Sequence, residues 1–218
     1  VGAYIEDHNV AGGVTLASAG SAYIYTYDGS SWDTGTKIVA SDRAVSDIFG
    51  RSVAINSDGT KAIVGADGGE AAYIFTYNGS SWVQQQILVA SDAAAGDKFG
   101  YSVAMNSDGT KVIVGAYLEH AGDITDTGAA YIFAYDGSNW DTGLKITAPD
   151  KEASDQFGAG TSVAMSGDGA RVVVGANLDD VFSANSGTVY VYDRDTTHHL
   201  MTDLKLQSNT WHNLTYAY

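Results

Sequence analysis

Residues 47–66 read DIFGRSVAINSDGTKAIVGA, residues 97–116 read DKFGYSVAMNSDGTKVIVGA, and residues 155–176 read DQFGAGTSVAMSGDGARVVVGA. Three near-copies of one stretch in a chain of 218 residues make internal repetition the feature that decides the fold. A second block stands ahead of each copy: SAYIYTYDGSSW from Ser21, AAYIFTYNGSSW from Ala71 and AAYIFAYDGSNW from Ala129, with a degenerate GTVYVYDRD from Gly187. From Tyr23 to Phe49, Tyr73 to Phe99 and Tyr131 to Phe157 the separation is 26 every time. Phe49 to Gly65 and Phe99 to Gly115 are 16 apart, and Phe157 to Gly175 is 18. The gap from each Val-Gly-Ala glycine to the next tyrosine instead varies: 21, 8, 16 and 15. A rigid core with one elastic loop is a structural repeat, in four units of approximately 1–46, 47–96, 97–154 and 155–218 forming one repeat domain.

Each unit reads as four strands, which in the second copy cover 52–56, 61–66, 72–77 and 82–90. Ser57-Asp58-Gly59-Thr60 and Asn78-Gly79-Ser80-Ser81 are hairpin turns, because Gly and Asn accept the positive φ that tight turns require. Strands one to three are almost continuously apolar (Val53, Ile55; Ile63, Val64; Tyr73, Ile74, Phe75), the pattern of a sheet covered on both faces. Sheets packed face to face about an axis supply both covers, so the fold class predicted is all-β: a β-propeller of four-stranded antiparallel blades. The chain opens with Val1-Gly2-Ala3, the second strand of a unit, and so reads as processed or a fragment. The strand completing that first blade comes either from Trp211–Tyr218 or from outside these residues.

Phe49-Gly50 with Val64-Gly65-Ala66, Phe99-Gly100 with Val114-Gly115-Ala116, and Phe157-Gly158 with Val174-Gly175-Ala176 resemble FG-GAP repeats, the blades of integrin α-chain propellers and of many bacterial surface proteins. The resemblance reaches to about Asp193, and the usual Pro after Gly-Ala is replaced by Asp67, Tyr117 and Asn177. It implies a surface or adhesion setting. It also implies a ring that mostly closes with seven blades, so four units are part of a ring or a ring of four. Phe49, Phe99 and Phe157 are expected as interblade wedges, with Gly50, Gly65, Gly100, Gly115, Gly158 and Gly175 permitting close strand approach. Trp32, Trp82 and Trp140 recur at one position and are expected to pack the outer strand; stacking on sugar rings is the alternative.

Composition limits the function. Eleven Lys and Arg against 26 Asp and Glu give a formal charge of −15, which repels nucleic-acid backbones and anionic lipid. No apolar run approaches a membrane span. Cysteine is absent, which removes disulfide scaffolds, thiol catalysis and thiolate metal sites. Nucleophile-elbow, P-loop and zincin motifs are missing, and Gly158-Ala159-Gly160 is too short for a dinucleotide fingerprint. His198 and His199 are adjacent, so on a strand they point to opposite faces. The sequon at Asn78 coincides with a hairpin tip, and a second stands at Asn213.

Antiparallel connectivity places the loops between second and third strands, and those between units, on one rim. All length variation lies there, so this is where a ligand-binding face is expected. Its residues are Glu6, Asp7 and His8; Asp67 and Glu70; Glu119, His120, Asp123 and Asp126; Asp179, Asp180 and Asn185. No cofactor is required, and calcium is left open in these long loops. The calcium-binding D-x-D-x-D-G-x-x-D pattern of related first hairpins fails here: the second copy offers Ala54, Asn56, Asp58, Gly59 and Ala62, so the first and last acidic ligands are missing. These hairpins are expected to be plain turns capped by Asp. The functional expectation is a non-enzymatic extracellular binding, adhesion or structural module on a cell surface, virion or filament. Its partner is a protein, a glycan or an identical subunit. A calcium-dependent lectin and the accessory propeller of a secreted hydrolase are the alternatives.

Overall fold

The computed structural model describes residues 1–10, 12–160, 162–180, 186–194 and 201–206, the last of these by backbone alone. Asn185, His198, His199, Asn213 and Trp211–Tyr218 lie outside the described residues. The first sheet contains β1 (Gly2–Ala3), β4 (Ser21–Ile24) and β5 (Thr36–Ile38), with β2 (His8–Val10) and β3 (Val14–Leu16) forming a separate hairpin inside its longest loop. The second contains β6 (Ser52–Ile55), β7 (Lys61–Ala66), β8 (Ala71–Tyr77) and β9 (Trp82–Leu88). The third has β10 (Phe99–Met105), β11 (Lys111–Ala116), β12 (Ala129–Ala134) and β13 (Leu144–Ile146). The fourth has β14 (Val163–Met165), β15 (Arg171–Ala176), β16 (Thr188–Arg194) and β17 (Met201–Leu206). Every pairing is antiparallel between consecutive strands of a unit, apart from β1 with β4, which the β2–β3 hairpin separates.

Alternation along these strands explains their continuous hydrophobicity. In the second sheet Val64, Ala66, Ala71, Tyr73 and Phe75 join Ala22 and Ile38 of the first in one core cluster. Their neighbours Ile63, Ala72 and Ile74 point the other way and pack with Val112, Val114, Tyr131 and Phe133 of the third. Ile113 and Ala130 in turn pack with Val172, Val174, Tyr190 and Tyr192 of the fourth. Period-2 side chains on a sheet buried on both faces therefore read as one apolar run. These are the stacked blades of a β-propeller. At each of the three joints one sheet presents small and branched side chains, and the next presents aromatic side chains set among valine and alanine.

The Phe-Gly and Val-Gly-Ala motifs form the joints. Phe49 lies edge-on to Tyr73 and Phe75 at 5.3 and 6.0 Å between ring centroids, and Phe99 stands against Tyr131 and Phe133 at 5.5 and 6.1 Å. Phe157 meets Tyr190 and Tyr192 at 5.6 and 6.0 Å. All three phenylalanines are fully buried. Ser52 and Ser102 donate their hydroxyls to the carbonyls of Gly100 and Gly158 in the following blade, at 3.0 and 2.9 Å.

Tryptophan shows the same register and one departure from it. Trp140 is buried against the second blade and Trp82 packs partly onto the core between the first and second. Trp32 is 66% exposed, its ring tilted against that of Tyr27 at 5.3 Å. The ring of each blade packs on the blade before it, and in the described residues nothing precedes the first.

The Asp-Gly hairpins are turns. Asn56 Oδ1 accepts the amides of Thr60 and Lys61, both at 2.9 Å, while Asp58 accepts the Thr60 amide at 3.0 Å and its hydroxyl at 2.5 Å. Asn106 and Asp108 repeat the arrangement on Thr110 and Lys111. With their oxygens engaged in this way, Asp58 and Asp108 act as turn caps, and their carboxyls are held below the usual range by the Thr60 and Thr110 hydroxyls.

Candidate functional site

The acidic residues of the variable rim divide into two sets. One set is turned into the fold. Glu6 accepts hydrogen bonds from the hydroxyls of Ser21 and Tyr23 and pairs with Lys37 at 2.5 Å, and Lys37, Ser21 and Tyr23 together hold its carboxyl at about 2. Glu119 is buried and pairs with Lys145 at 2.5 Å, the same ammonium reaching Asp92 at 2.6 Å. Tyr131 donates to Asp92 at 2.7 Å. In the fourth blade the single Tyr190 hydroxyl lies within hydrogen-bond distance of both Asp150, at 2.7 Å, and buried Asp179, at 2.5 Å, and burial together with these two carboxylates raises its phenol well above the ordinary value. A strand-three tyrosine hydrogen-bonded to a loop carboxylate is thus a recurrent tie between loop and blade.

Glu70 performs a related task across a joint, accepting the amides of Gly96 at 3.1 Å and Phe99 at 2.9 Å. Asp7 caps the Ser18 amide at 2.8 Å, and His8 Nε2 meets the Gly20 carbonyl at 2.8 Å. His120 Nδ1 accepts the Asp126 amide at 3.2 Å and lies 3.7 Å from its carboxylate. Asp123 and Asp180 are exposed. The eleven described positions therefore lie along several blades and do not gather at one point. Among the described residues no three His, Asp or Glu side chains converge as metal ligands would.

What does gather lies at the inner end of this rim. Arg51 follows Phe49-Gly50, and Tyr101 follows Phe99-Gly100; Tyr4, Asp67 and Tyr117 each follow a Val-Gly-Ala or Gly-Ala segment. The Arg51 guanidinium carbon sits 5.1 Å from the Tyr4 ring centroid and 4.3 Å from that of Tyr101, and its Nη2 donates to the Tyr101 hydroxyl at 2.5 Å. Tyr101 and Tyr117 are 4.4 Å apart with their planes at 54°. A cation against ring faces contributes about 0.5–2 kcal/mol, so the guanidinium is held in place before any ligand arrives. Arg51, Tyr101, Ser52, Ser102, Val53, Val103 and Gly160 line an adjoining cleft of 430 Å³ on the first strands.

Asp67 completes the cluster. It is 5% exposed, its Oδ1 has no hydrogen-bond partner, and Arg51 Nε approaches only to 3.9 Å. Burial raises its carboxyl above the usual range, against the pull of Arg51 and Lys98. A folded-state value above the unfolded one means that the native state holds this proton more tightly. Stability is then lost as pH rises past about 4 towards the folded value. Asp67→Asn is therefore expected to unfold at a higher temperature than the wild type at pH 7, with the advantage shrinking as pH falls towards 4. Paired thermal melts at the two pH values check this.

Among these residues only Asp67 belongs to the acidic rim set. The others carry no pattern of their own, but they occupy the positions that change from copy to copy immediately beside the two motifs that do not. The fourth unit carries Ala159 and Asn177 there, which ends the cluster.

All-β blades with antiparallel order and glycine joints define a β-propeller module. The FG-GAP repeat profile matches residues 32–75, 82–133 and 140–192, and the chain belongs to the FG-GAP repeat family. No curated protein sequence matches it significantly. Among solved structures, a 6-phosphogluconolactonase candidate from Bacteroides fragilis NCTC 9343 superposes with TM-score 0.51 at 16% identity, over 78% of this chain and 41% of that one. Another from Bacteroides uniformis ATCC 8492 gives 0.52 at 14%, over 87% and 49%. The chain thus spans less than half the length of either, and the likeness is one of fold. No helix among the described residues is long and apolar enough to cross a membrane.

Proposed function

We propose that this is a non-enzymatic extracellular binding module of a surface protein, and that it meets a protein or glycan partner at the inner end of the variable rim. The observation that carries this reading is the Arg51 guanidinium held between the Tyr4 and Tyr101 rings beside a cleft of 430 Å³. Tyr and Arg are the side chains that dominate recognition hot spots, and a prepositioned pair loses little entropy on binding. The FG-GAP family supports the extracellular setting, and the acidic surface disfavours nucleic acid.

Arg51→Ala and Tyr101→Ala are expected to lower retention on glycan arrays or extracellular-matrix protein arrays at least tenfold, with each variant still folded at the binding temperature by circular dichroism. Asp123→Ala, on an exposed loop away from the cluster, serves as the control and is expected to bind as the wild type does. Binding that survives both cluster substitutions but needs added calcium would move the assignment to the lectin reading.

A further inference from the structure

The first and third units share a glutamate and a lysine at equivalent positions. Gly2-Ala3-Tyr4-Ile5-Glu6 corresponds to Gly115-Ala116-Tyr117-Leu118-Glu119, and Lys37-Ile38 to Lys145-Ile146. In both units the glutamate pairs with the lysine through Oε1, at 2.5 Å. The second oxygen fares differently. Glu6 Oε2 accepts the hydroxyls of Ser21 and Tyr23. In the third unit Ala129 stands where the first has Ser21, and the Tyr131 hydroxyl goes to Asp92 instead, at 2.7 Å. Glu119 Oε2 is left with no hydrogen-bond partner, although the Glu119 side chain is only 7% exposed. A buried acceptor without a donor is costly, and a donor from outside the chain would relieve it.

Glu119 lines a cavity of 600 Å³ that has room for such a donor, and Asp92, His120, Lys145, Thr147 and Lys151 share its wall. Two carboxylates against two ammonium groups leave no net charge to select an ion. Lys145 is committed to Glu119 and Asp92, at 2.5 and 2.6 Å. Among the described residues the Lys151 ammonium donates only to the Thr147 hydroxyl, at 3.3 Å. His120 Nδ1 accepts the Asp126 amide, so in the neutral ring Nε2 carries the proton and is a donor as well. The wall therefore combines an orphan acceptor with several donors around a charge-balanced space.

We infer that this cavity is a second ligand site and that it takes an uncharged polyhydroxylated ring, a single sugar residue. A sugar hydroxyl both donates and accepts. One donates to Glu119 Oε2, as the Ser21 hydroxyl does to Glu6, while its neighbours on the ring accept from Lys151 and Thr147. A carboxylate or phosphate would meet Asp92 and Glu119, and an ammonium would meet Lys145 and Lys151, so neither ion suits the whole wall. A few fixed polar groups of this kind set the orientation and selectivity of a small ligand.

The test titrates the whole chain, isotope-labelled, with glucose, galactose, mannose and N-acetylglucosamine in turn. At least one of the four is expected to give saturable amide shifts centred on Glu119 to Gly122 and Lys145 to Lys151. Lys151→Ala and Thr147→Ala are each expected to weaken that binding about tenfold. Ala129→Ser supplies the hydroxyl that the first unit has, and is expected to weaken binding while raising the unfolding temperature. A merely structural role for the cavity would not move those two readouts in opposite directions. No saturable shift with any of the four sugars, or equal binding by the wild type and all three variants, overturns the inference and leaves the orphan oxygen to water. So does a stronger response to acetate than to any sugar, which would make this an anion site. None of these positions belongs to the Arg51 cluster, so failure here leaves that reading intact.

Discussion

Gly65→Ala is expected to destabilise the protein by roughly 3 kcal/mol or more, at the upper end of what overpacking costs. The reason is the joint between consecutive blades. A Cβ at Gly65 overlaps the carbonyl oxygen of Gly100 and the hydroxyl of Ser52, and the carbonyl is backbone of the next blade. A flexible side chain could move aside, whereas this backbone is fixed by the Ser52 hydroxyl on one side and the buried Phe99 on the other. The same contact recurs between Gly115 and the Gly158 carbonyl, where the added carbon comes to 2.6 Å. Gly79→Ala is the informative comparison. Its φ of +95° strains any other residue, but nothing stands within 4 Å of the added carbon, so it costs only about 1–2 kcal/mol. Urea unfolding of both variants checks the order; a Gly65→Ala protein no weaker than Gly79→Ala would show that the blades do not meet at this glycine.

The blades were legible in the sequence because their constraints repeat. Positions 61–66 and 82–88 need side chains suited to two covered faces or to an outer edge, and the chain states that need again every unit. The predicted second-unit strands differ from the observed ones by at most two residues at any end. The short β2–β3 hairpin was not legible, because it lies in the longest of the variable loops, a stretch that no other unit repeats. The site divides along the same line. A loop carboxylate looks alike in sequence whether it faces solvent or a tyrosine hydroxyl, so Glu6, Glu119 and Asp179 could not be told from Asp123 and Asp180. Arg51, Tyr101 and Tyr117 are separated by up to 66 positions in the chain and meet only because successive blades superimpose equivalent positions. That proximity is a property of stacking, and no window along the sequence contains it.

Stacking also determines how far damage spreads. In a repeat array each unit contacts its neighbours, so stability is a sum of blade terms and joint terms. The Tyr131–Asp92 and Tyr190–Asp150 bonds each cross a joint at the rim, and the Lys61 and Lys111 ammonium groups cross at the opposite rim to the carbonyls of Gly109 and Gly169, at 3.2 and 3.1 Å. The joints on either side of the third blade are therefore each fastened at both rims by polar contacts and through the centre by a phenylalanine.

Phe99→Ala is expected to be the most damaging truncation in the molecule, costing about 3–5 kcal/mol. Its ring is 1% exposed and packs in the cluster shared by the second and third blades, which contains Ile63, Ile74, Val112 and Val114. Tyr131 and Phe133 hold it edge-on from the third blade, and neither can close the void without leaving its own place, since Tyr131 is tethered to Asp92. Phe49→Ala removes the same ring from a joint that already opens onto a cavity of 410 Å³, where neighbouring side chains have room to relax, and is expected to cost less. Denaturant unfolding gives the two values, and hydrogen exchange locates them: Phe99→Ala should lose amide protection across β10, β11 and β12 before the fourth blade does. Equal costs for the two substitutions would mean that the first joint is as tightly closed as the second.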